Sequence, residues 1–326
     1  MLLAVAPGVA SFPGVAVKSQ GSSLWNDAWH RLSRNRPALV SLAVLVCVLI
    51  ACFIGPFLWF VKNPTVIDLA NSAAQPSWEH WFGTDQLGRD LFSRVLYGGQ
   101  VSLLVGLVAT GVAVMIGVIY GAVSGYVGGK VDSVMMRFVD ILFALPFLVL
   151  VILFALVVDK PSSEFTTWVI DRTGWPRGRV APITTLIPLF IAIGAIGWLT
   201  IARIVRAQVM SVKKLEFVEA AISLGLSRSR ILFRHILPNV IGPIIIYTTL
   251  AVPGIMLLES VLSFLGLGVK PPNSSWGILI KEGADRMEIT PYLLLFPSVF
   301  FATTLFALNF LGDGLRDALD PKSSKD

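Results

Sequence analysis

Few side chains in this 326-residue chain combine reactive chemistry with surroundings that would let them act. Two carboxylates, Asp140 and Glu259, fall in or beside long apolar stretches. A bare charge there is costly unless it is paired or faces water, so each is a candidate for a translocation path or an intramembrane charge site. For Asp140 a structural reading competes, because Arg137 stands three residues earlier on the same helical face and could neutralise it. Glu259 has no charge close in sequence and is expected to line the outer part of a path. His30, His80 and His235 are scattered over three segments, and Cys47 and Cys52 point to different sides of a helix. Neither a metal site nor a disulfide is legible from that spacing. Gly128-Gly129-Lys130 runs on into Val131 and lacks the GxxxxGK[ST] spacing that cradles phosphates, so no nucleotide or magnesium is expected to bind this chain. A membrane enzyme would need a catalytic set such as HExxH or facing aspartates, and only Asp140 and Glu259 are available.

These residues must be positioned by an unusual frame. Hydrophobic residues make up 55% of the chain and charged ones 14%, with a mean hydropathy of +0.77. Soluble domains carry roughly 25% charge, so an ordinary soluble protein is excluded. Six windows hold no charge at all: 37–61, 95–129, 141–158, 180–202, 236–258 and 289–312. Each approaches or exceeds the roughly 18–20 apolar residues that cross about 30 Å of hydrocarbon as a helix. Runs such as 42–50 are apolar on every face, which disfavours barrel strands. The expectation is an all-α polytopic membrane protein with six transmembrane helices.

Lys and Arg set the orientation of such a protein. Sixteen of the 26 fall on one side: Lys18, Arg31, Arg34 and Arg36 in the N-terminal segment, Lys130 and Arg137 after the second span, seven between 203 and 235, and Arg316, Lys322 and Lys325 at the end. Both termini and the 203–235 loop are therefore expected to be cytoplasmic, with 62–94, 159–179 and 270–288 outside. The net charge of +6 falls where topology already wants it, and no zinc-finger or RNA-binding motif accompanies it, so nucleic acid is not an expected partner. The chain divides into a loose tail at 1–23, an interfacial amphipathic helix at 24–36 built on Trp25, Trp29 and Leu32, a first span at 37–61, an outer segment at 62–100, a core at 101–312 and a tail at 313–326. Within the second span Gly117, Gly121 and Gly125 recur every four residues, a small-residue stripe against which another helix can pack closely.

The segment 215–238 reads as two short helices. Leu215, Val218 and Ile222 share a helical face, Gly225 suits a left-handed stop, Ser227 can cap the second helix, and Pro238 fits the first turn of the fifth span. Ala220 and Ala221 leave a surface that another protein could approach closely, with Glu219 beside them. From the residues alone, a packing elbow between spans four and five remains an equal alternative. The pattern Glu219-Ala220-Ala221, three residues, Gly225, and a closing Leu237-Pro238 resembles the EAA loop of ABC importer permeases. It departs from that pattern at His235, where the family has Ile. The stretch Phe82 to Leu103 resembles the GTDxxGRDxxSRxxxG run of the C-type subunits of dipeptide and oligopeptide permeases, in which Asp90 and Arg94 form an i, i+4 pair. The likeness continues through 136–146, 233–239, 262–268 and 313–321, covering nearly everything from 24 to 322.

The resemblance implies a type I ABC importer permease (MetI-like) fold with a first helix added to a five-helix core. It also implies transport of peptides across the bacterial inner membrane, and a transport subunit rather than an enzyme. The implied partners are a B-type permease, one or two ABC ATPases that bind the ATP and magnesium, a periplasmic substrate-binding protein and the lipid membrane. Glu219, Ala220, Ala221, Gly225, Leu237 and Pro238 would couple to the ATPase. A nickel chelate or another small solute is the alternative cargo. An ion-coupled secondary transporter is the rival class, and it would show more intramembrane charge and inverted, broken-helix halves.

Overall fold

The computed structural model describes residues 29–270 and 273–319. The expected tail 1–23, the start of the expected interfacial helix including Trp25, and the last residues from 320 lie outside the described residues. Helix α1 (Arg36–Phe53) begins where the Asn35 side chain accepts from the Ala38 N–H at 3.2 Å and Pro37 supplies a ready-made first turn. A 3-10 turn at Gly55–Phe57 comes next. Helix α2 (Leu91–Val127, 37 residues) starts on the Asp90 cap and stops at Gly128, whose φ of +70° no ordinary residue adopts readily. It begins inside the expected outer segment 62–100 and, at about 55 Å, projects beyond the hydrocarbon layer.

Helix α3 (Gly129–Ala144) and helix α4 (Phe147–Thr173) meet at 95°. The third window, 141–158, is therefore not one straight helix. Pro146 is the reason: the residue before a proline is pushed out of the α region, and Leu145 sits at φ −84°, ψ 145°. Much of the expected outer loop 159–179 is helical, continuing α4 to a left-handed Gly174. Helices α5 (Arg177–Thr184), α6 (Ile187–Val212) and α7 (Glu216–Ser223) come after it. A turn at Arg228–Arg230 and a π-helix at Ile231–Ile236 lead into α8 (Leu237–Phe264), and α9 (Trp276–Ala284) and α10 (Tyr292–Leu319) complete the chain. Among the described residues five helices are long and apolar enough to cross a membrane, and the bent α3–α4 pair makes six if it is counted as one broken span.

The main core joins α2, α6 and the segment 218–240 through residues such as Ala109, Ile193, Val205, Val218 and Ile236. Gly117, Gly121 and Gly125 are the seam between α2 and α6. A Cβ at Gly117 would lie 2.8 Å from Ile201, one at Gly121 would collide with the Ala202 carbonyl, and one at Gly125 would lie 2.7 Å from the Arg206 carbonyl. A second cluster ties the end of α1 and the start of α2 to α8, α9 and α10 around Cys52, Leu91, Met256 and Trp276. A third, small cluster joins Leu32 and Ala38 to Ala318. Both ends of the described chain thus meet on one face of the bundle, as an even number of crossings requires.

Candidate functional site

The segment that carries the EAA pattern folds as a short helix clipped to the end of the bundle. Helix α7 has Glu216 and Glu219 in its first turn, where the helix dipole favours negative charge. Val218 and Ala221 are its buried residues and share the core cluster with Val209, Ile231, Leu232 and Ile236. Glu219 and Ala220 face outward. The helix stops at Gly225, which takes φ +75° and donates its N–H to the Ile222 carbonyl at 2.9 Å, while Leu226 donates to Ala221 at 3.2 Å. A Cβ on Gly225 would meet no atom within 4 Å, so backbone conformation alone calls for glycine there. Ser227 caps the next turn by accepting from the Arg230 N–H at 3.4 Å.

Beyond Ser227 the chain widens into the π-helix, in which the Leu237 N–H reaches back to the Leu232 carbonyl. Pro238 has no N–H to give and its ring crowds the carbonyl four residues back, so a widened turn accommodates it. Asn239 Nδ2 donates to the His235 carbonyl at 2.6 Å and stitches the join. His235, the departure from the family pattern, sits inside this turn.

The expected apolar face of Leu215, Val218 and Ile222 is split, for only Val218 of the three is buried. An eight-residue helix anchored by Val218 and Ala221 cannot also bury the residues flanking them. Leu224 is 79% exposed and Phe233 65%, and Leu215, Phe217 and Ile222 are exposed as well. Five large apolar side chains thus crowd one loop that is otherwise polar.

The two candidate acids have partners on other helices that the sequence did not indicate. Asp140 does not pair with Arg137; its carboxylate accepts from Arg203 Nη2 on α6 at 2.6 Å, and the Arg203 guanidinium lies 4.0 Å from the centre of the Phe143 ring. Asp132, not singled out from sequence, accepts from Arg206 Nε and Nη2 at 2.5 Å each and from Ser124 Oγ at 2.5 Å. The signal was present as Arg203 and Arg206 three apart on a span end, but only the crossing of two helices shows which acids they meet. Glu259 is 0% exposed. It accepts from Ser263 Oγ at 2.6 Å and from Ser102 Oγ on α2 at 3.2 Å. Ser102 also accepts from the Trp276 N–H of α9 at 3.1 Å, and Ser275 Oγ lies 3.4 Å from Ser263 Oγ. Glu259 therefore ties α2, α8 and α9 together and faces no open space in this conformation.

The GTDxxGRDxxSR stretch folds into a clasp on the opposite end of the bundle. Asp90 is not the partner of Arg94. It caps α2 by accepting from the Ser93 N–H at 2.9 Å, and its other oxygen takes His80 Nδ1 at 2.9 Å. Lys62 Nζ lies 3.3 Å from the far ring nitrogen of His80, an arrangement that fits a neutral ring donating from Nδ1 to Asp90. Arg94, 4% exposed at its side chain, bridges Asp85 at 2.6 Å and Glu282 of α9 at 2.6 Å and 3.1 Å. Arg89 Nε donates to the same Asp85 at 2.7 Å. The spacing rule that suggests an Asp90–Arg94 pair fails because Asp90 precedes the helix and its oxygens are taken by the cap and by His80. Among the described residues no group of three or more His, Cys, Asp or Glu side chains is placed to hold a metal ion.

Comparison with known proteins points the same way. The family described as "Binding-protein-dependent transport system inner membrane component" matches residues 113–325, and the family described as "N-terminal TM domain of oligopeptide transport permease C" matches residues 23–76. The chain is 48% identical over 304 residues to the oligopeptide transport system permease protein OppC of Escherichia coli, covering 93% of each chain. It is 46% identical to OppC of Haemophilus influenzae, covering 93% of this chain and 90% of that one. It is also 40% identical over 310 residues to the dipeptide transport system permease protein DppC of Bacillus subtilis, covering 94% and 88%.

Proposed function

This chain belongs to the binding-protein-dependent transport system inner membrane components, among the C-type permeases of dipeptide and oligopeptide ABC importers, and from that premise we propose that it moves peptides across the bacterial inner membrane under the control of separate ATPase subunits. It is a transport subunit rather than an enzyme. The observation that carries the coupling proposal is the apolar crowd of Leu215, Phe217, Ile222, Leu224 and Phe233 around exposed Glu219 and Ala220. Several large apolar side chains left exposed on one short loop support a protein interface there. Ala220 keeps the approach close, Gly225 sets the angle of the loop, and Ala221, Leu237 and Pro238 hold it to the bundle. ATP and magnesium bind the ATPases, one or two of them, and a B-type permease completes the path. A periplasmic binding protein delivers the cargo.

The mechanism is a population shift: ATP closes the ATPases, α7 moves with them, and the two permeases open outward. The nucleotide drives this only through its unequal affinity for the two states. Peptide cargo is supported by the peptide permeases at 40–48% identity over most of the chain. The Lys and Arg distribution favours a cytoplasmic side for both termini and the α7 loop, and the meeting of the two chain ends supports a shared side.

The test replaces Leu224 with Asp in the assembled transporter. A buried apolar anchor at an interface contributes about 2 kcal/mol, so affinity for the ATPase falls roughly 30-fold while the permease stays in the membrane. Gly225→Asp strains the left-handed turn and lowers stimulated ATPase activity and peptide uptake together, whereas Gly225→Asn, which tolerates that conformation, keeps both. Normal coupling in L224D and G225D, or external labelling of a cysteine at 225, overturns the proposal.

A further inference from the structure

Helix α3 leads into a membrane crossing, but its own surface is that of a helix lying flat. At about 100° per residue its circumference divides into four sectors. Asp132, Met136 and Val139 face the bundle. Ser133 and Asp140 form an exposed polar sector beside them. Lys130 and Arg137 come next, both exposed and neither in an ion pair among the described residues. Val131, Val134, Phe138 and Ile141 close the circle as an apolar stripe, each 45–71% exposed. Protein, water, cations and oil succeed one another around a single helix, with the cations at the border between the wet and the apolar sectors. That is the order met by a helix whose axis runs along a membrane surface.

The contacts with α6 give the same orientation. Asp132 and Asp140, eight residues and about 12 Å apart along α3, bind Arg206 and Arg203, which are three residues and about 4.5 Å apart along α6. Helix α3 therefore crosses a spanning helix broadside and stays near one depth, and the 95° bend at Leu145–Pro146 then turns the chain into α4. We infer that α3 is an in-plane helix of the inner leaflet, its Val131, Val134, Phe138 and Ile141 stripe set among acyl chains and Lys130 and Arg137 held at anionic phospholipid headgroups. The choice of leaflet rests on the proposed orientation; the in-plane course does not.

The test places spin labels singly at 131, 133, 134, 138 and 141 in the assembled transporter, with Cys47 and Cys52 replaced, reconstituted in phosphatidylcholine vesicles with and without phosphatidylglycerol. Collision with oxygen and with a nickel chelate reports depth and exposure. The four stripe positions read one depth within about 3 Å and favour oxygen, while 133 favours the nickel chelate. A transmembrane course separates 131 from 141 by about 15 Å, and that gradient overturns the inference. Stripe labels shielded from both reagents place a second permease there instead and overturn it equally. For the headgroup contact, the rise in melting temperature on adding phosphatidylglycerol is at least halved in the Lys130→Gln, Arg137→Gln double variant; an undiminished rise refutes it. None of these readings depends on cargo or on ATPase coupling.

Discussion

Two alanine substitutions in one helix provide a sharp test of how α2 and α6 pack. At Gly111 an added Cβ meets nothing within 4 Å, so Gly111→Ala brings only the helix-propensity gain of about 1 kcal/mol. At Gly121 the same methyl collides with the Ala202 carbonyl and lies 3.0 Å from the Arg206 nitrogen and from Val205 Cβ. Two of those three atoms are backbone and cannot rotate away, so α6 must move off the seam by roughly 1 Å, a gap that forfeits a quarter to a half of each contact it widens. Overpacking of this kind costs about 3 kcal/mol at the upper end of its range, and the propensity gain returns about 1 kcal/mol. The net expectation is about 2 kcal/mol of destabilisation for G121A against about 1 kcal/mol of stabilisation for G111A. Denaturation of the purified chain in mixed micelles, followed by tryptophan fluorescence, reads both; Trp198 lies on this seam, its carbonyl 2.9 Å from a Gly117 Cβ. If the two variants shift stability in the same direction by similar amounts, the α2–α6 seam is not where the glycines put it.

The clasp around Arg94 and the buried acids give further expected outcomes. Arg94→Met leaves the 6%-exposed Asp85 with Arg89 as its one charged partner and costs about 3 kcal/mol, whereas Glu282→Gln, at a carboxylate 41% exposed, costs about 1 kcal/mol or less; thermal unfolding of the purified chain separates them. Glu259→Ala leaves the Ser102 and Ser263 hydroxyls without an acceptor and costs about 3 kcal/mol, while Glu259→Gln keeps an acceptor in place and retains peptide uptake. If E259Q abolishes uptake at normal stability, the carboxylate charge has a role in transport that its hydrogen bonds do not explain. Arg206→Gln releases Asp132 and costs about 2 kcal/mol in the same unfolding measurement, below a fully buried pair because Arg206 is 31% exposed at its side chain.

The legible part of the molecule was the part governed by local chemistry. Charge-free windows located the crossings because hydrocarbon excludes charge regardless of tertiary context. Gly225, Ser227 and Pro238 announced the architecture of the loop because a left-handed stop, a cap and a first-turn proline are properties of one residue and its immediate backbone. Pro146 carried a comparable signal, and its consequence, a right-angle bend rather than a straight third span, comes from the same rule about the residue before proline.

Pairing was not legible. Asp90 stands four residues from Arg94, and Asp140 three from Arg137, yet each finds a partner elsewhere: His80 and the α2 cap in one case, Arg203 of a crossing helix in the other. Sequence spacing narrows the possible partners, but a carboxylate bonds to whatever donor the packed helices bring within about 3 Å. For Glu259 the contrast lies within one residue: Ser263, four positions on along α8, was visible in the sequence, whereas nothing near Glu259 pointed to Ser102 of α2. The sequence by itself determined the membrane character, the six crossings and the form of the EAA-bearing loop, since these depend on composition and on backbone preferences one residue long. Only the tertiary structure decided which charges are joined and which faces are left bare, because both depend on the angle and depth at which one helix crosses another.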